Sequence, residues 1–286
     1  MRTLIGPLCT AAGQSGPTWT LDLWVTIPLF ASALCYAVGV AVLWRRAGVG
    51  HGVSLWQATA YSAGWLALLA ALVSPLHHAG TELFTAHMIE HELVMAVAAP
   101  LLVLARPGGT FLWGFPRLIR HKVGRVVRSG AVHGAWRAFT RPVSATLLHG
   151  AAIWLWHVPA LFDDAVLNVG LHRLQHVSFL ATAILFWWAI LRRSNFGAAC
   201  GHVFATMTHT GLLGALLALA PHALYPAQTL NAPAWGLSPL EDQQLAGLVM
   251  WVPAGTIYAG TALALMGLWI ARSGSRSWRA GDALRA

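Results

Sequence analysis

Two pairs of histidines have the residue type and the spacing needed to bind a metal ion. His87 and His91 lie in the segment HMIEHELVM, and His172 and His176 lie in LHRLQHVSF. Residues four apart share one face of a helix and are separated by about 6 Å along its axis, so each pair can direct two imidazoles at one ion. Neutral imidazole is a common ligand of copper and zinc. We therefore expect a metal site where the two helices face each other.

Other side chains near these pairs are candidate ligands or candidate partners of the ligand histidines. His157, in WLWHVPALFDD, falls at a similar depth and is a fifth expected ligand. Methionine sulfur would favour Cu(I) over zinc, and carboxylates or amides can orient ligand imidazoles. The additional candidates are Met88, Glu90, Met95, Asp242, Gln243, Met250, His149 and His209.

Two other interpretations of the histidines stay open. One histidine from each pair could bind the iron of a haem, but the surplus histidines would then have no role. A hydrogen-bonded network that packs the helices is the second alternative. The motifs give no support for hydrolytic chemistry, because HMIEH departs from HExxH and the chain has neither GxSxG nor a phosphate-binding glycine loop. We expect no enzymatic activity.

These candidates lie in a chain with the composition of a membrane protein. Of its 286 residues, 57% are hydrophobic and 9% are charged, and the mean hydropathy is +0.61. A soluble domain carries about a quarter charged residues, and a membrane span needs about 20 mostly apolar residues. The sequence predicts an all-α bundle of seven transmembrane helices, at roughly 21–44, 53–74, 83–105, 142–162, 172–191, 201–220 and 245–271.

The basic residues predict the orientation of these spans. All of the 18 lysines and arginines except Arg2 and Arg173 fall on one side of the predicted bundle. Positively charged loops remain in the cytoplasm, so we expect the N-terminus outside and the C-terminus inside. The predicted organisation is an extracytoplasmic tail over 1–20, a transmembrane domain over 21–271 with a basic cytoplasmic loop at 106–141, and a cytoplasmic tail over 272–286.

The formal net charge of +9 is explained by membrane insertion. Basic residues on the cytoplasmic side also contact anionic lipid, so we expect the lipid bilayer and no nucleic acid as a partner. Residues 115–130 form either a basic amphipathic helix on the inner surface or a solvated basic loop. The three cysteines include no CxxC pair, which argues against a disulfide framework and against a thiolate zinc site.

A helix-capping signal precedes the last predicted span. Ser238, with Glu241 three residues later, has the pattern of a capping box. The polar and large residues that follow are candidates to close the metal site from the outer side: Gln243, Gln244, Met250 and Trp251.

Four stretches resemble the multi-spanning CtaG family of bacterial cytochrome c oxidase assembly proteins, which act on caa3-type oxidases. They are AHMIEHELVMAVAAPLLVLARP, WLWHVPALFDDAV, HRLQHVSFLATAILFWW and WGLSPLEDQQLAGLVMWVPAG, and the resemblance covers roughly 50–270. It implies a multi-pass protein of the bacterial cytoplasmic membrane that helps to mature a haem–copper oxidase through copper delivery. The matching histidines are His87, His91, His157, His172 and His176, and the last motif contains Asp242, Gln243, Gln244, Met250 and Trp251.

The expected function is therefore that of an assembly factor that binds copper, as Cu(I) or Cu(II), and delivers it to the oxidase. Its expected partners are the oxidase subunits and an extracytoplasmic copper donor. A copper transporter is one alternative, with His149, Met207 and His209 as inward steps. A haem-binding electron-transfer protein and a scaffold with structural histidines are others, and zinc is the alternative metal.

Overall fold

The computed structural model describes the backbone of residues 18–283 and the side chains of residues 18–272. Residues 1–17 of the expected N-terminal tail and residues 284–286 of the expected C-terminal tail lie outside these ranges. The described part is all-α, as predicted, and contains no strand. Its helices are α1 (Leu23–Ala47), α2 (Leu55–Leu72), α3 (Pro75–Glu82), α4 (Phe84–Ala105), α5 (Pro107–Trp113), α6 (Arg117–Val127), α7 (Gly130–Phe139), α8 (Pro142–Trp156), α9 (Pro159–Leu167), α10 (Val169–Arg192), α11 (Phe196–Ala218) and α12 (Pro239–Ala283).

Among the described residues, four helices are long and apolar enough to cross a membrane: α1, α4, α10 and α12. Two bent pairs, α2 with α3 and α8 with α9, raise the number to six if each pair is counted as one span. Helix α11 has 23 residues and covers most of the predicted span 201–220, but polar residues such as His202 and His209 lower its mean hydropathy. Seven spans and the placement of the termini stay predictions.

Proline determines where the two bent pairs break. Pro75 begins α3 after the N-cap residue Ser74, and the chain turns by 42° between α2 and α3. Pro159 begins α9, and the turn between α8 and α9 is 75°. Proline lacks the backbone N–H that would continue the preceding helix, but it fits the first turn of a new one. The predicted span 142–162 is therefore bent after Trp156.

Hydrogen bonds and ion pairs bring one set of helix ends together, and we call this set the histidine end. Arg173 at the start of α10 pairs with Asp22 at the start of α1, at 2.8 Å. Asp242 near the start of α12 accepts hydrogen bonds from the start of α4. Gln243 on α12 donates to the Leu217 carbonyl at the end of α11. Helices α1, α4, α10 and α12 therefore all start at the histidine end, whereas α11, which lies between α10 and α12 in the chain, ends there.

Basic residues collect at the opposite end, which we call the basic end. Arg192 at the end of α10 donates to the Val103 carbonyl at the end of α4, at 3.3 Å. The guanidinium groups of Arg46 and Arg120 lie over the Trp113 ring, at 5.3 and 4.1 Å from its centre. The segment 106–141, predicted as a basic loop, folds into the short helices α5, α6 and α7. Within 115–130, the structure is helical over Arg117–Val127, and the location of this helix on the inner membrane surface stays a prediction.

Two glycines allow α11 and α12 to pack at backbone contact. A Cβ atom on Gly247 would lie 2.5 Å from the Gly214 carbonyl oxygen, and one on Gly214 would lie 2.7 Å from the Gly247 carbonyl oxygen. Helices in membranes commonly approach through small residues, because packing replaces the hydrophobic effect as the source of association. This contact holds α12, and with it Asp242, in a fixed position relative to α11.

We expect Gly247→Ala to destabilise the bundle, because its methyl group has to push two backbones apart. The loss is about 1–3 kcal/mol, the usual effect of overpacking, and it is measured as a lower midpoint of thermal unfolding in detergent. Gly260→Ala in the same helix is the matched control, since a Cβ atom there meets nothing within 4 Å. Equal midpoints for the two variants would contradict the packing role.

Candidate metal centre

Capping interactions fix the starts of the two helices that carry the histidine pairs. The Asp242 carboxylate accepts from the backbone N–H groups of Phe84 and Thr85, at 2.7 and 2.9 Å, and so satisfies the first turn of α4. Asn168 accepts from the N–H groups that open α10. A carboxylate at a helix N-terminus is also favoured by the helix dipole. Both pairs therefore start from well-anchored first turns.

The predicted capping box at the start of α12 is confirmed. The Ser238 hydroxyl accepts from the Glu241 N–H at 3.2 Å, and the Glu241 carboxylate accepts from the Ser238 N–H at 2.7 Å. This box sets the start of α12 and places the next residue, Asp242, against α4.

The two histidine pairs face each other across α4 and α10, as the spacing predicts. The ring centres of His87 and His172 are 5.4 Å apart, and those of His91 and His176 are 5.0 Å apart. Within α10, Nε2 of His172 lies 3.1 Å from Nε2 of His176. The rings of His87 and His91 are almost fully buried, and the side chain of His176 is 11% exposed. The four imidazoles form one group at this end of the bundle.

Three of these histidines meet the distance requirement for sharing one ion. One nitrogen each from His87, His172 and His176 lies within 4.8 Å of the others. Ligand nitrogens about 2.0 Å from a tetrahedral ion are about 3.3 Å apart, so a small inward movement of the rings completes the geometry. Nε2 of His87 and Nδ1 of His176 are buried without a hydrogen-bond partner in the described residues, as are both nitrogens of His91. The donor set fits a metal ion.

His77 joins the group, although its sequence context gave it no special role. It lies on α3, and its ring stacks at 5.7 Å on that of His172. Its Nδ1 is 3.1 Å from the Glu90 carboxylate, and the other oxygen of Glu90 is 4.0 Å from Nε2 of His176. We use the name histidine cluster for His77, His87, His91, His172 and His176 together. The bend at Ser74–Pro75 turns α3 over the cluster. The Ser74–Pro75 pair shortly before His77 is the feature of the sequence that signals this bend.

Gly80 makes room for the Glu90 carboxylate under α3. A Cβ atom at Gly80 would lie 2.7 Å from a carboxylate oxygen of Glu90. The Gly80 carbonyl also faces Nδ1 of His87 at 3.3 Å and accepts from Gln228 at 2.9 Å. Gln228 belongs to the connection between α11 and α12. This connection and α3 therefore cover the cluster together.

His157 lies one layer away from the cluster. Its ring contacts Phe162 and Phe179, and these same phenyl rings contact His87 and His91. Its Nδ1 faces the Ile153 carbonyl at 2.7 Å, whereas its Nε2 has no partner within the described part of the chain. His157 therefore shares aromatic neighbours with the cluster, but its nitrogens are not among those that converge within 4.8 Å.

Tyr225 holds this layer in place from the connection between α11 and α12. Its hydroxyl donates to the His157 carbonyl at 2.7 Å. Burial, with a smaller effect of the nearby Asp163 carboxyl, raises the pKa of the Tyr225 phenol. The phenol therefore stays protonated and remains a donor throughout the physiological pH range.

The remaining predicted residues lie outside direct contact with the cluster. The Asp242 carboxylate accepts hydrogen bonds from backbone N–H groups of α4. The Gln243 amide bonds to backbone groups at the end of α11 and in the connection that follows it. Met88, Met95 and Met250 are buried in the apolar core. Trp251 is 45% exposed and packs beside Gly211 and Gly214, so it does not cover the cluster. His149 and His209 lie deeper, on α8 and α11.

Two glutamates of α4, Glu90 and Glu92, have buried carboxylate oxygens. Glu90 is fully buried against His77. The Oε2 atom of Glu92 is also buried, with no hydrogen-bond partner among the described residues.

We expect Asp242→Asn to loosen the start of α4, because it removes a charged acceptor from two backbone N–H groups. Hydrogen bonds to a charged group contribute about 1.5–3 kcal/mol each, so the midpoint of thermal unfolding should fall by about 5 °C. Asp164→Asn is the control, since Asp164 is exposed. An unchanged midpoint for Asp242→Asn would contradict its role as the cap of α4.

Comparison with known proteins identifies the family. The family model of the cytochrome c oxidase caa3 assembly factor, Caa3_CtaG, matches residues 34–272. Uncharacterized proteins of Mycobacterium bovis and Mycobacterium tuberculosis are each 27% identical over 253 residues, which is 82% of this chain and 36% of theirs. One of Mycobacterium leprae is 26% identical over 265 residues, 88% of this chain and 39% of its own. The chain thus spans little more than a third of the length of these curated relatives, and no solved structure matches it. The chain belongs to the Caa3_CtaG family of cytochrome c oxidase assembly factors.

Proposed function

We propose that this assembly factor binds a copper ion at the histidine cluster and delivers it to the apo form of the oxidase. The observation that carries the proposal is the convergence of nitrogen atoms from His87, His172 and His176 within 4.8 Å of one another. An oxidase assembly factor acts on a haem–copper enzyme, and imidazole nitrogens are good ligands for copper. Copper is therefore the metal that agrees with both the family and the donor set. On this proposal copper is substrate, and the protein is a metallochaperone without catalytic activity.

The chemistry of the cluster favours copper among the metals considered. Its donors are neutral imidazoles, which suit both Cu(I) and Cu(II), and copper binds nitrogen ligands more tightly than other divalent metals of its row. Glu90 supplies one negative charge beside the imidazoles. Zinc accepts the same ligands, so elemental analysis has to distinguish copper from zinc.

Haem fits the cluster poorly. A porphyrin between α4 and α10 would need an open slot between its two axial histidines. The rings of the two helices contact each other directly instead, with centres 5.0 to 6.0 Å apart. We therefore do not propose a haem-binding electron-transfer protein.

Delivery would take place at the histidine end, which the distribution of basic residues predicts to be extracytoplasmic in a bacterial cytoplasmic membrane. The proposed partners are the oxidase subunits that receive copper and an extracytoplasmic donor that supplies it. Helix α3 covers the cluster through the contacts of Glu90 with His77 and of Gln228 with Gly80. Opening this cover moves an eight-residue helix and leaves the long helices in place.

The double variant His87→Ala/His176→Ala is expected to lose copper, because it removes one ligand from each helix. Elemental analysis of detergent-purified protein after copper loading should give near-stoichiometric copper for the wild type and little for the variant, without a haem band in the visible spectrum. His133→Ala, at an exposed position on α7, is the matched control and should keep its copper. In cells, the same double variant should leave the oxidase without copper and inactive.

Several results would overturn the proposal. Equal copper in the wild type and the double variant would exclude the cluster as the site, and zinc in place of copper would exclude the cargo. A Soret band lost in the variant would favour haem. Copper uptake into vesicles that contain the protein would favour the transporter. Monodisperse elution of the double variant shows that copper loss does not reflect unfolding.

We expect Glu90→Gln to weaken the binding of Cu(II) more than that of Cu(I), because the loss of one negative charge affects the divalent ion more. Removal of a group that orients ligand histidines lowers metal affinity by about 10- to 100-fold. The dissociation constants are measured by competition with chelators specific for each oxidation state. Glu82→Gln, at a half-buried position at the end of α3, is the control. An equal loss for both ions would assign Glu90 a packing role instead.

A further inference from the structure

A second set of polar side chains runs along the bundle between α8, α10 and α11, away from the histidine cluster. Near the histidine end, the Trp156 indole N–H donates to Ser178 at 2.8 Å. Further along, Nδ1 of His149 lies 3.2 Å from the Thr182 hydroxyl. Near the basic end, Thr146 lies 3.0 Å from Nδ1 of His202. We call this set the polar seam, and it also contains Gln175, Thr206 and His209.

Several atoms of the polar seam are buried without a protein partner. They are both amide atoms of Gln175, Nε2 of His149, the Thr206 hydroxyl and Nε2 of His209, none of which bonds to any group that the structure describes. An unpaired polar group in an apolar environment costs several kcal/mol, and a membrane offers no solvent to compensate. Such sites are generally satisfied by internal water with two to four polar partners.

The hydrogen-bond partners of His149 favour one tautomer of its ring. When the Thr182 hydroxyl donates to the Ser178 carbonyl, at 2.8 Å, its oxygen accepts from Nδ1 of His149. In this arrangement the proton of the neutral ring is on Nδ1, and Nε2 presents a free lone pair. His149 is fully buried.

His209 has the opposite arrangement. Trp154 donates its indole N–H to Nδ1 of His209 at 3.3 Å, so Nδ1 is the acceptor and Nε2 carries the proton. A Cβ atom on Gly150 would lie 3.3 Å from this Nε2, which places the free N–H beside the residue that follows His149. The free N–H of His209 on α11 thus lies against α8 one residue along from His149, whose Nε2 is also unpaired.

A metal ion does not suit this pair, because it needs lone pairs from several ligands. The pair offers one lone pair, on His149, and one N–H, on His209. Water satisfies both, since it donates to the first and accepts from the second. The neighbouring hydroxyl groups of Thr146, Ser178, Thr182 and Thr206 are likewise donors and acceptors of hydrogen bonds.

We propose that the polar seam is a hydrated path that conducts protons along the bundle, with water bridging His149 and His209. An excess proton on the bridging water binds to Nε2 of His149, which forms an N–H bond and breaks an O–H bond of the hydronium ion. The reverse step returns the proton to the next water. Each passage moves one proton and restores both rings. The proposal is independent of copper binding at the histidine cluster.

The test uses the full chain in liposomes that contain a pH-sensitive dye, with a potassium diffusion potential set by valinomycin. Wild-type vesicles should take up protons about tenfold faster than lipid-only vesicles, and His149→Phe/His209→Phe should remove most of this flux, because histidines in membranes are common members of proton relays. His133→Phe, at an exposed position on α7, is the matched control and should conduct like the wild type.

Two results would overturn the proposal: wild-type flux equal to that of empty vesicles, or flux retained in the double variant. Copper uptake that is lost in the double variant would show instead that the seam carries copper. Copper content is measured on the same preparations, so failure of the copper site and failure of the proton path are separate results. If the double variant does not fold, His209→Phe alone, at a half-buried position, is expected to reduce the flux.

Discussion

The Glu90 carboxylate is fully buried inside a bundle of apolar helices, and it requires partners from the protein itself. One oxygen bonds to His77 on α3, the other lies 4.0 Å from His176 on α10, and Gly80 provides the space. The requirement to pair this group therefore brings α3 over the histidine pairs of α4 and α10. The buried Asp242 carboxylate also finds its partners within the protein. It accepts hydrogen bonds from two backbone N–H groups at the start of α4, a helix that is far from it in sequence. Residues that stabilise the histidine end are thus also those that shape the candidate site.

The sequence predicts the histidine pairs well because helical periodicity fixes which residues share a face. His87 with His91 and His172 with His176 had to face the protein interior, since charged or polar groups toward lipid are costly. His77 could not be predicted in the same way, because its position depends on the bend that Pro75 introduces and on the missing side chain of Gly80. Both effects arise only when α3 folds back over the bundle.

Depth along a helix and rotation about its axis are different quantities, and the sequence constrains the first better. His157 was placed near the other histidines by its position along α8, but its ring packs on Phe162 and Phe179 and its nitrogens do not join the converging set. The local capping box of Ser238 and Glu241 was predicted correctly because it spans three residues. Asp242 caps a helix that begins 158 residues earlier, and no spacing rule within one sequence reveals that partner.

The two groups of buried histidines differ in their neighbours. In the histidine cluster, imidazoles contact imidazoles and the Glu90 carboxylate, so several lone pairs converge beside a negative charge, which is the arrangement that a cation needs. In the polar seam, His149 is held by a threonine hydroxyl and His209 by a tryptophan N–H. These partners favour opposite tautomers and leave one unpaired acceptor and one unpaired donor, which suits water and the transfer of protons. The surrounding side chains, and not the number of histidines, therefore determine what each group can bind.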